Sequence, residues 1–394
     1  MLNEPSGLSD SPVIEIASSS SPANDLRTQL RNVVDDVFFV DFESDDLSEP
    51  ITASYTGHLS MDSMAAYDKL DAAFKPLDHV PVMLEENGQQ VIRAVRGRIH
   101  PRPRPTWPNA LLFGLTILSV LFAGAVLGGV QATSPLDILQ GWPYAVSLLL
   151  ILGSHELGHY FAARYHKVAV TLPYFIPMPL SLFGTMGAFI QLREPMRNRR
   201  ILLDIGAAGP LVGLVVAIPI LLVGLKTSPV LPLPTMDVFL LKTHMAGYIA
   251  EGNSILYMLA KFVVFGHFLP DGMKDVTINQ LTWAGWTGLL VTALNLIPVG
   301  QLDGGHVIYS LIGERARILF IPLIAALGLL SIFFQEWLLW VVLLLVLGRV
   351  YATPLDSITR LDTRRRVIAI IALVMFILVF MPVPLQQIVV GSRF

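Results

Sequence analysis

Residues 143–165 are apolar enough to cross a membrane, yet the run contains His155, Glu156 and His159. That conflict constrains the chain more than any other feature. In hydrocarbon the backbone must satisfy its own hydrogen bonds, so a span is a helix or part of a closed barrel. An ionisable group at the centre of such a helix costs about 2.5–3.5 kcal/mol on insertion scales, which marks it as functional by default. On a helix, residues four apart stack on one face. His155 and His159 can therefore offer two imidazole nitrogens to one metal ion. Glu156 follows on the adjacent face, within reach of water at that metal. H-E-x-x-H in this setting reads as two zinc ligands and a general base.

The rest of the chain agrees with a membrane setting. Hydrophobic residues make up 53% of the 394 and charged residues 14%, with mean hydropathy +0.61, which is too apolar for a soluble protein of this length. Cysteine is absent, so disulfides and thiolate zinc sites are excluded. The first forty residues are acidic and Ser-rich, without the basic start and apolar core of a secretion signal, and are too acidic for a typical organelle transit peptide. Residues 1–24 read as disordered. Residues 25–98 read as a small cytoplasmic α/β domain, with helices near 24–34 and 61–74, strands at 37–40, 51–55, 80–84 and 91–95, and a hairpin signal at Glu86-Asn87-Gly88. A Pro/Arg linker covers 99–106, a membrane domain 107–384 and a short tail 385–394.

Candidate spans lie at 107–130, 143–165, 201–225, 281–299, 316–334, 336–352 and 366–384, near the ~20 residues that hydrocarbon requires. The expected fold is a polytopic α-helical membrane protein of about seven transmembrane helices. Arginine clusters precede the first span and fill alternate loops, among them Arg193, Arg197, Arg199, Arg200, Arg364, Arg365 and Arg366. A cytoplasmic N-terminus then satisfies the positive-inside bias at every loop. The basic clusters have their explanation in topology, and no nucleic-acid partner is expected.

A catalytic zinc needs a third protein ligand at the depth of His155 and His159, plus an open position. The fourth span also runs inward and ends in Asn295-Leu296-Ile297-Pro298-Val299-Gly300-Gln301-Leu302-Asp303-Gly304-Gly305-His306. Pro298 and Gly300 break the helix, which lets Asp303 return toward the core, and Gly304 and Gly305 permit close backbone approach. Asp303 is the expected third ligand. Asp204 also suits a helix N-terminal charge, Glu251 and Asp271 lie at the wrong depth, and His306 fits a supporting partner better than a ligand. Asn295 fits either an interhelical hydrogen bond or a donor to a developing oxyanion.

Through these two motifs the chain resembles the site-2 protease family of intramembrane zinc metalloproteases. The resemblance rests on His155-Glu156-Leu157-Gly158-His159, on Asn295-Leu296-Ile297-Pro298 and on Leu302-Asp303-Gly304-Gly305. These stand in the family's order, on two inward-running spans with one between. The resemblance implies His155, His159 and Asp303 as ligands of one Zn2+ per chain, Glu156 as catalytic base and Asn295 as a substrate contact. It also implies transmembrane protein substrates cleaved within the lipid bilayer. Segment 226–280 is too short and apolar for a PDZ domain, so the likeness is to the PDZ-less branch of bacteria and chloroplasts with an N-terminal cytoplasmic domain; a bacterial cytoplasmic membrane is the expected location, ahead of a chloroplast-type membrane.

Residues 172–192 are apolar but too Pro- and Gly-broken for a helix. A re-entrant β-hairpin fits, similar to that family's membrane-embedded β-loop, with Gly184 and Gly187 allowing a substrate backbone to approach. Two readings from other classes stay open: a metal-ion transporter, which also places His and acidic residues in the membrane, and a proteolytically inactive scaffold. A membrane zinc protease using a downstream Glu as ligand is a third, with Glu314 poorly placed for it.

Overall fold

A computed structural model describes residues 22–44, 48–131, 133–232, 247–271 and 274–389. Most of the segment expected to be disordered, and the last residues of the tail, lie outside them. The chain divides into two compact units at Arg98.

The first unit is a four-stranded antiparallel sheet in the order β1-β2-β4-β3, with β1 Phe38–Glu43, β2 Ile51–Leu59, β3 His79–Glu86 and β4 Gln89–Arg96. Helices α1 (Pro22–Asp35) and α2 (Ser63–Phe74) pack on it. Burial alternates along β3 as a half-buried strand requires. Leu30 and Val34 of α1 and Ala66, Leu70 and Phe74 of α2 meet Tyr55, Met83 and Ile92 in the core. Asp62 caps α2 by accepting from the backbone N–H of Met64 and Ala65. Asn87 and Gly88 both take positive φ, 52° and 81°, which closes the β3–β4 hairpin.

The second unit is helical. Its elements are α3 (Trp107–Leu127), α4 (Trp142–Tyr165), β5 (Tyr174–Pro177), β6 (Thr185–Phe189), α5 (Arg199–Thr227) and β7 (Val230–Pro232). Next come β8 (Gly247–Glu251), α6 (Ile255–Phe265), β9 (Lys274–Val276), α7 (Gln280–Asn295) and α8 (Asp303–Ile312). The last are α9 (Phe320–Phe333), α10 (Glu336–Leu347), α11 (Thr363–Val379) and β10 (Leu385–Val389). Four helical stretches are long and apolar enough to cross a membrane: Trp107–Leu127, Pro135–Tyr165, Arg199–Thr227 and Asp303–Phe333. The expected spans at 281–299, 336–352 and 366–384 contain shorter helices, of 16, 12 and 17 residues, because their apolar runs extend into non-helical chain. The expected fifth span is likewise part of a longer element, since a 3-10 turn over Gly313–Leu319 joins α8 to α9. The expected tail is partly a strand: β10 pairs antiparallel with β8.

Helix α5 is the centre of the packing. It lies between α4 and α7, and also contacts α8 and α11. Contact is close because glycines face neighbouring backbones. A Cβ on Gly158 would meet the Ala208 carbonyl oxygen at 2.8 Å, and one on Gly285 would meet Leu221 Cα at 2.7 Å. Small residues at such crossings let helices associate through backbone contact. Leu214, Leu221 and Leu225 of α5 fill one core with Leu148 and Leu152 of α4 and Trp286 and Leu289 of α7. Replacing Gly285 by Val should force α5 and α7 apart and destabilise the fold by about 1–3 kcal/mol, the usual range for overpacking. A thermal melt of the detergent-solubilised protein reads this as a lower midpoint.

Candidate metal centre

Each motif is delivered by a different kind of structure. His155 and His159 stand one turn apart on α4, both buried. α7 ends at Asn295, residues 296–302 turn, and α8 starts at Asp303, the first residue of its first turn. The turn is tight because glycines touch backbone: a Cβ on Gly304 would meet the Leu296 carbonyl oxygen at 2.0 Å, and one on Gly305 would meet the Gly300 oxygen at 2.3 Å. Asp303 is thereby carried to the histidines from 148 residues along the chain.

Three donor atoms converge. His155 Nε2 and His159 Nε2 each lie 3.2 Å from Asp303 Oδ2, and the two nitrogens are 3.2 Å from one another. Among the described residues these three form the group able to hold a metal ion. Two imidazole nitrogens and a carboxylate oxygen are a zinc donor set. Ligands about 2.0–2.1 Å from a tetrahedral ion are about 3.3 Å apart, so the spacing fits. The ring orientation fits as well: His159 Nδ1–H donates to the Ile205 carbonyl at 2.7 Å, leaving Nε2 unprotonated and turned to Asp303.

The supporting residues on α5 escaped sequence reasoning. A Cβ on Gly209 would lie 2.1 Å from His159 Nε2, one on Gly206 2.7 Å from His306 Cβ, and one on Gly213 3.2 Å from His155 Cβ. These glycines let α5 lie flat against the histidine edges. Their signal was present as small residues at positions 206, 209 and 213 of an apolar helix, the pattern of close helix contact.

Glu156 is 5% exposed and shares a cavity of about 230 Å³ with the three donor residues, Asn295, Gln301, His306, the β6 residues Ala188 and Phe189, and Ile190 just after them. The Ile190 backbone N–H faces its carboxyl group. Asn295 Nδ2 comes to 3.4 Å from His155 Nε2. Asp204 is engaged elsewhere, accepting from Arg365 and paired with His166 at 2.9 Å. Glu251 pairs with Lys261. Glu314 accepts from Tyr309 at 2.5 Å.

The apolar stretch before α5 forms a two-stranded hairpin, β5 paired with β6. Its ends differ in depth along α3. Asn109, near the start of α3, donates to the Leu172 and Pro173 carbonyls. Ser119, ten residues on, donates to the Gly184 carbonyl. Gly184 has φ +73° and is covered by α3, whereas a Cβ on Gly187, at φ +105°, would meet nothing within 4 Å. Neither glycine lines the cavity, which is reached by the end of β6 and the residue after it.

The sequence model of peptidase family M50 matches residues 143–331, which take in both motifs. The probable zinc metalloprotease EGY2, chloroplastic, of Arabidopsis thaliana is 32% identical over 290 residues, 71% of this chain and 50% of that protein. The rice protein of the same name, from Oryza sativa subsp. japonica, is 33% identical over 288 residues, again 71% and 50%. The probable zinc metalloprotease EGY1, chloroplastic, of Arabidopsis thaliana is 32% identical over 243 residues, 61% of this chain and 43% of that protein. The chain thus spans about half the length of the curated relatives it matches. No solved structure matches it. The chloroplastic relatives overturn the expectation of a bacterial cytoplasmic membrane and point to a membrane of chloroplast type. Arginine placement orients a protein in a membrane without distinguishing one membrane from another, so the sequence held no physical basis for the earlier choice. Through residues 143–331, the chain belongs to peptidase family M50, the site-2 protease family of intramembrane zinc metalloproteases.

Proposed function

We propose that this protein is a zinc-dependent endopeptidase that cleaves transmembrane segments of other proteins inside the bilayer. The observation that carries this reading is the equal 3.2 Å spacing of His155 Nε2, His159 Nε2 and Asp303 Oδ2, with Glu156 on the same cavity. Zinc bound there supplies Lewis acidity, which polarises a carbonyl and lowers the pKa of water. Glu156 takes the proton of the attacking water and passes it to the departing amine, so the peptide C–N bond is exchanged for a carboxyl and an amino group. Asn295 donates through Nδ2 to the carbonyl oxygen as negative charge develops on it.

The topology that supports this reading has seven crossings, made by α3, α4, α5, α7, the α8–α9 element, α10 and α11, with the N-terminus on the side of the arginine-rich loops, the inner side. Contacts between ends are consistent with it. Arg365 near the start of α11 bonds Asp204 near the start of α5, and Gln280 at the start of α7 donates to Gly124 near the end of α3. β8 and β10, which fall on the outer side in this arrangement, pair with each other. The hairpin is re-entrant: its base is at the start of α3, while Tyr144, three residues into the inward-running α4, donates to the Phe183 carbonyl near its tip.

A substrate helix hides its peptide bonds in its own hydrogen bonds, so it must unwind to be cut. A two-stranded sheet leaves an edge of β6 unpaired, and that edge leads to the cavity at Ala188–Ile190. An unwound segment adds there as a third strand, and Gly187 leaves room for its backbone.

Three substitutions test the assignment with a purified, reconstituted enzyme and a transmembrane substrate. Glu156→Gln should retain zinc and lose activity on the order of 10²–10⁴-fold, the range of general acid–base catalysis. Full cleavage by this variant would falsify the role of Glu156. Asp303→Ala should lose both metal and cleavage, read by metal analysis beside the assay. Gly209→Ala places a methyl group against His159 Nε2 and should weaken zinc binding by at least about tenfold, comparable to loss of a supporting contact. Zinc flux into liposomes carrying the wild-type protein, with no cleavage, would instead favour a transporter.

A further inference from the structure

Helix α6 has its polarity reversed for a helix on a water-facing surface. Ile255, Met258, Leu259, Phe262 and Val263 are its exposed large residues, 39–73% accessible, and their 3-4-7-8 spacing makes one continuous apolar face. Tyr257, Ala260 and Lys261 form the opposite, buried face. Lys261 is the helix's one charged residue, and it is wholly enclosed. Its Nζ lies 3.1 Å from Asp275 Oδ1 and 3.6 Å from Glu251 Oε1, over the ring of Tyr257 at 4.5 Å. Tyr257 in turn donates to Glu251 Oε1 at 3.0 Å.

A surface helix in water turns apolar residues inward and charge outward. Hydrocarbon favours the reverse, because an unpaired lysine in lipid is costly while an apolar side chain is not. We infer that α6 is embedded in the outer leaflet, with its 255–258–259–262–263 face against lipid acyl chains and Lys261 ion-paired on the protein side. The choice of leaflet rests on the seven-crossing topology above; the lipid contact itself does not. Eleven residues span about 16 Å, roughly half the hydrocarbon thickness, so α6 enters one leaflet without crossing.

Its surroundings favour lipid over a protein partner. α6 packs against α5 and α11, whose residues near the same end, Val223 and Ile377, are 53% and 61% exposed. The apolar face of α6 thus lies beside helices whose own surfaces at that end are also apolar and exposed. Phe268 extends it, its ring 4.8 Å from that of Phe262. The embedded helix is also fixed to the catalytic unit. Gly252, next to Glu251, accepts from Trp286 Nε1 at 2.8 Å, and Trp286 belongs to α7, the helix that ends at Asn295.

The chain has no cysteine, so single cysteines can be placed cleanly. Val263→Cys and Leu259→Cys would be made in the full chain in lipid nanodiscs, where both faces meet solvent. His58→Cys, on the soluble unit, and Val215→Cys, on the exposed flank of α5, are the water and lipid controls. An embedded α6 predicts that both test sites react with a membrane-impermeant maleimide on the order of tenfold more slowly than His58→Cys. A fluorophore at either site should be quenched by spin-labelled lipid, as at Val215→Cys. Reaction as fast as at His58→Cys, with no lipid quenching, overturns the inference in favour of a water-exposed helix. Slow reaction without lipid quenching, lost when the protein is diluted in lipid, overturns it in favour of a second copy covering this face.

Discussion

The convergence of His155, His159 and Asp303 depends on one helix coming close enough to touch imidazole rings. His155 and His159 ride on α4 and Asp303 on α8, and α5 packs against both elements. Had α5 presented ordinary side chains, α4 and α8 would have been displaced. Gly206, Gly209 and Gly213 remove that obstacle, facing His306, His159 and His155 in turn. The 3.2 Å convergence of three donors is therefore a packing result before it is a coordination result. It needs three segments, of which two carry ligands and the third carries the absence of side chains.

That division explains how much of the site was legible in the sequence. Ligands announce themselves because charge and imidazole are costly in an apolar run. His155, Glu156 and His159 are conspicuous for that reason, and Asp303 follows from depth and from the helix break at Pro298 and Gly300. A glycine stripe signals close helix contact without naming the partner. Its meaning depends on which helix lies opposite, and nothing within residues 199–227 says so. Ile205 is harder still, since its contribution is a carbonyl oxygen that any residue would supply.

The fold divides along a similar line. The α/β unit was readable in element order because alternation and the Asn87-Gly88 turn are local signals. The hairpin was readable because apolar residues broken by proline and glycine can be neither a helix nor a soluble loop. Helix lengths were not. Hydropathy counts apolar residues whether or not they are helical, so α7, α10 and α11 came out shorter than their apolar runs. The pairing of β10 with β8 joins residues more than a hundred positions apart and left no local pattern.

Arg365 shows one residue meeting two demands at once. In the proposed topology its basic cluster holds the start of α11 on one side of the membrane. In the fold it also grips Asp204, with Nε at 2.9 Å from Oδ1 and Nη2 at 2.6 Å from Oδ2, while His166 approaches Oδ2 at 2.9 Å. A two-point guanidinium–carboxylate contact fixes orientation as well as distance. Asp204 precedes Ile205, whose carbonyl receives the Nδ1–H of His159. The Arg365 guanidinium is thus bonded to the turn of α5 whose backbone holds the ring of His159, a candidate ligand. Asp204 is the acidic residue that α5 itself offers near its start. Its engagement with Arg365 and His166 leaves Asp303 as the carboxylate that meets both histidines.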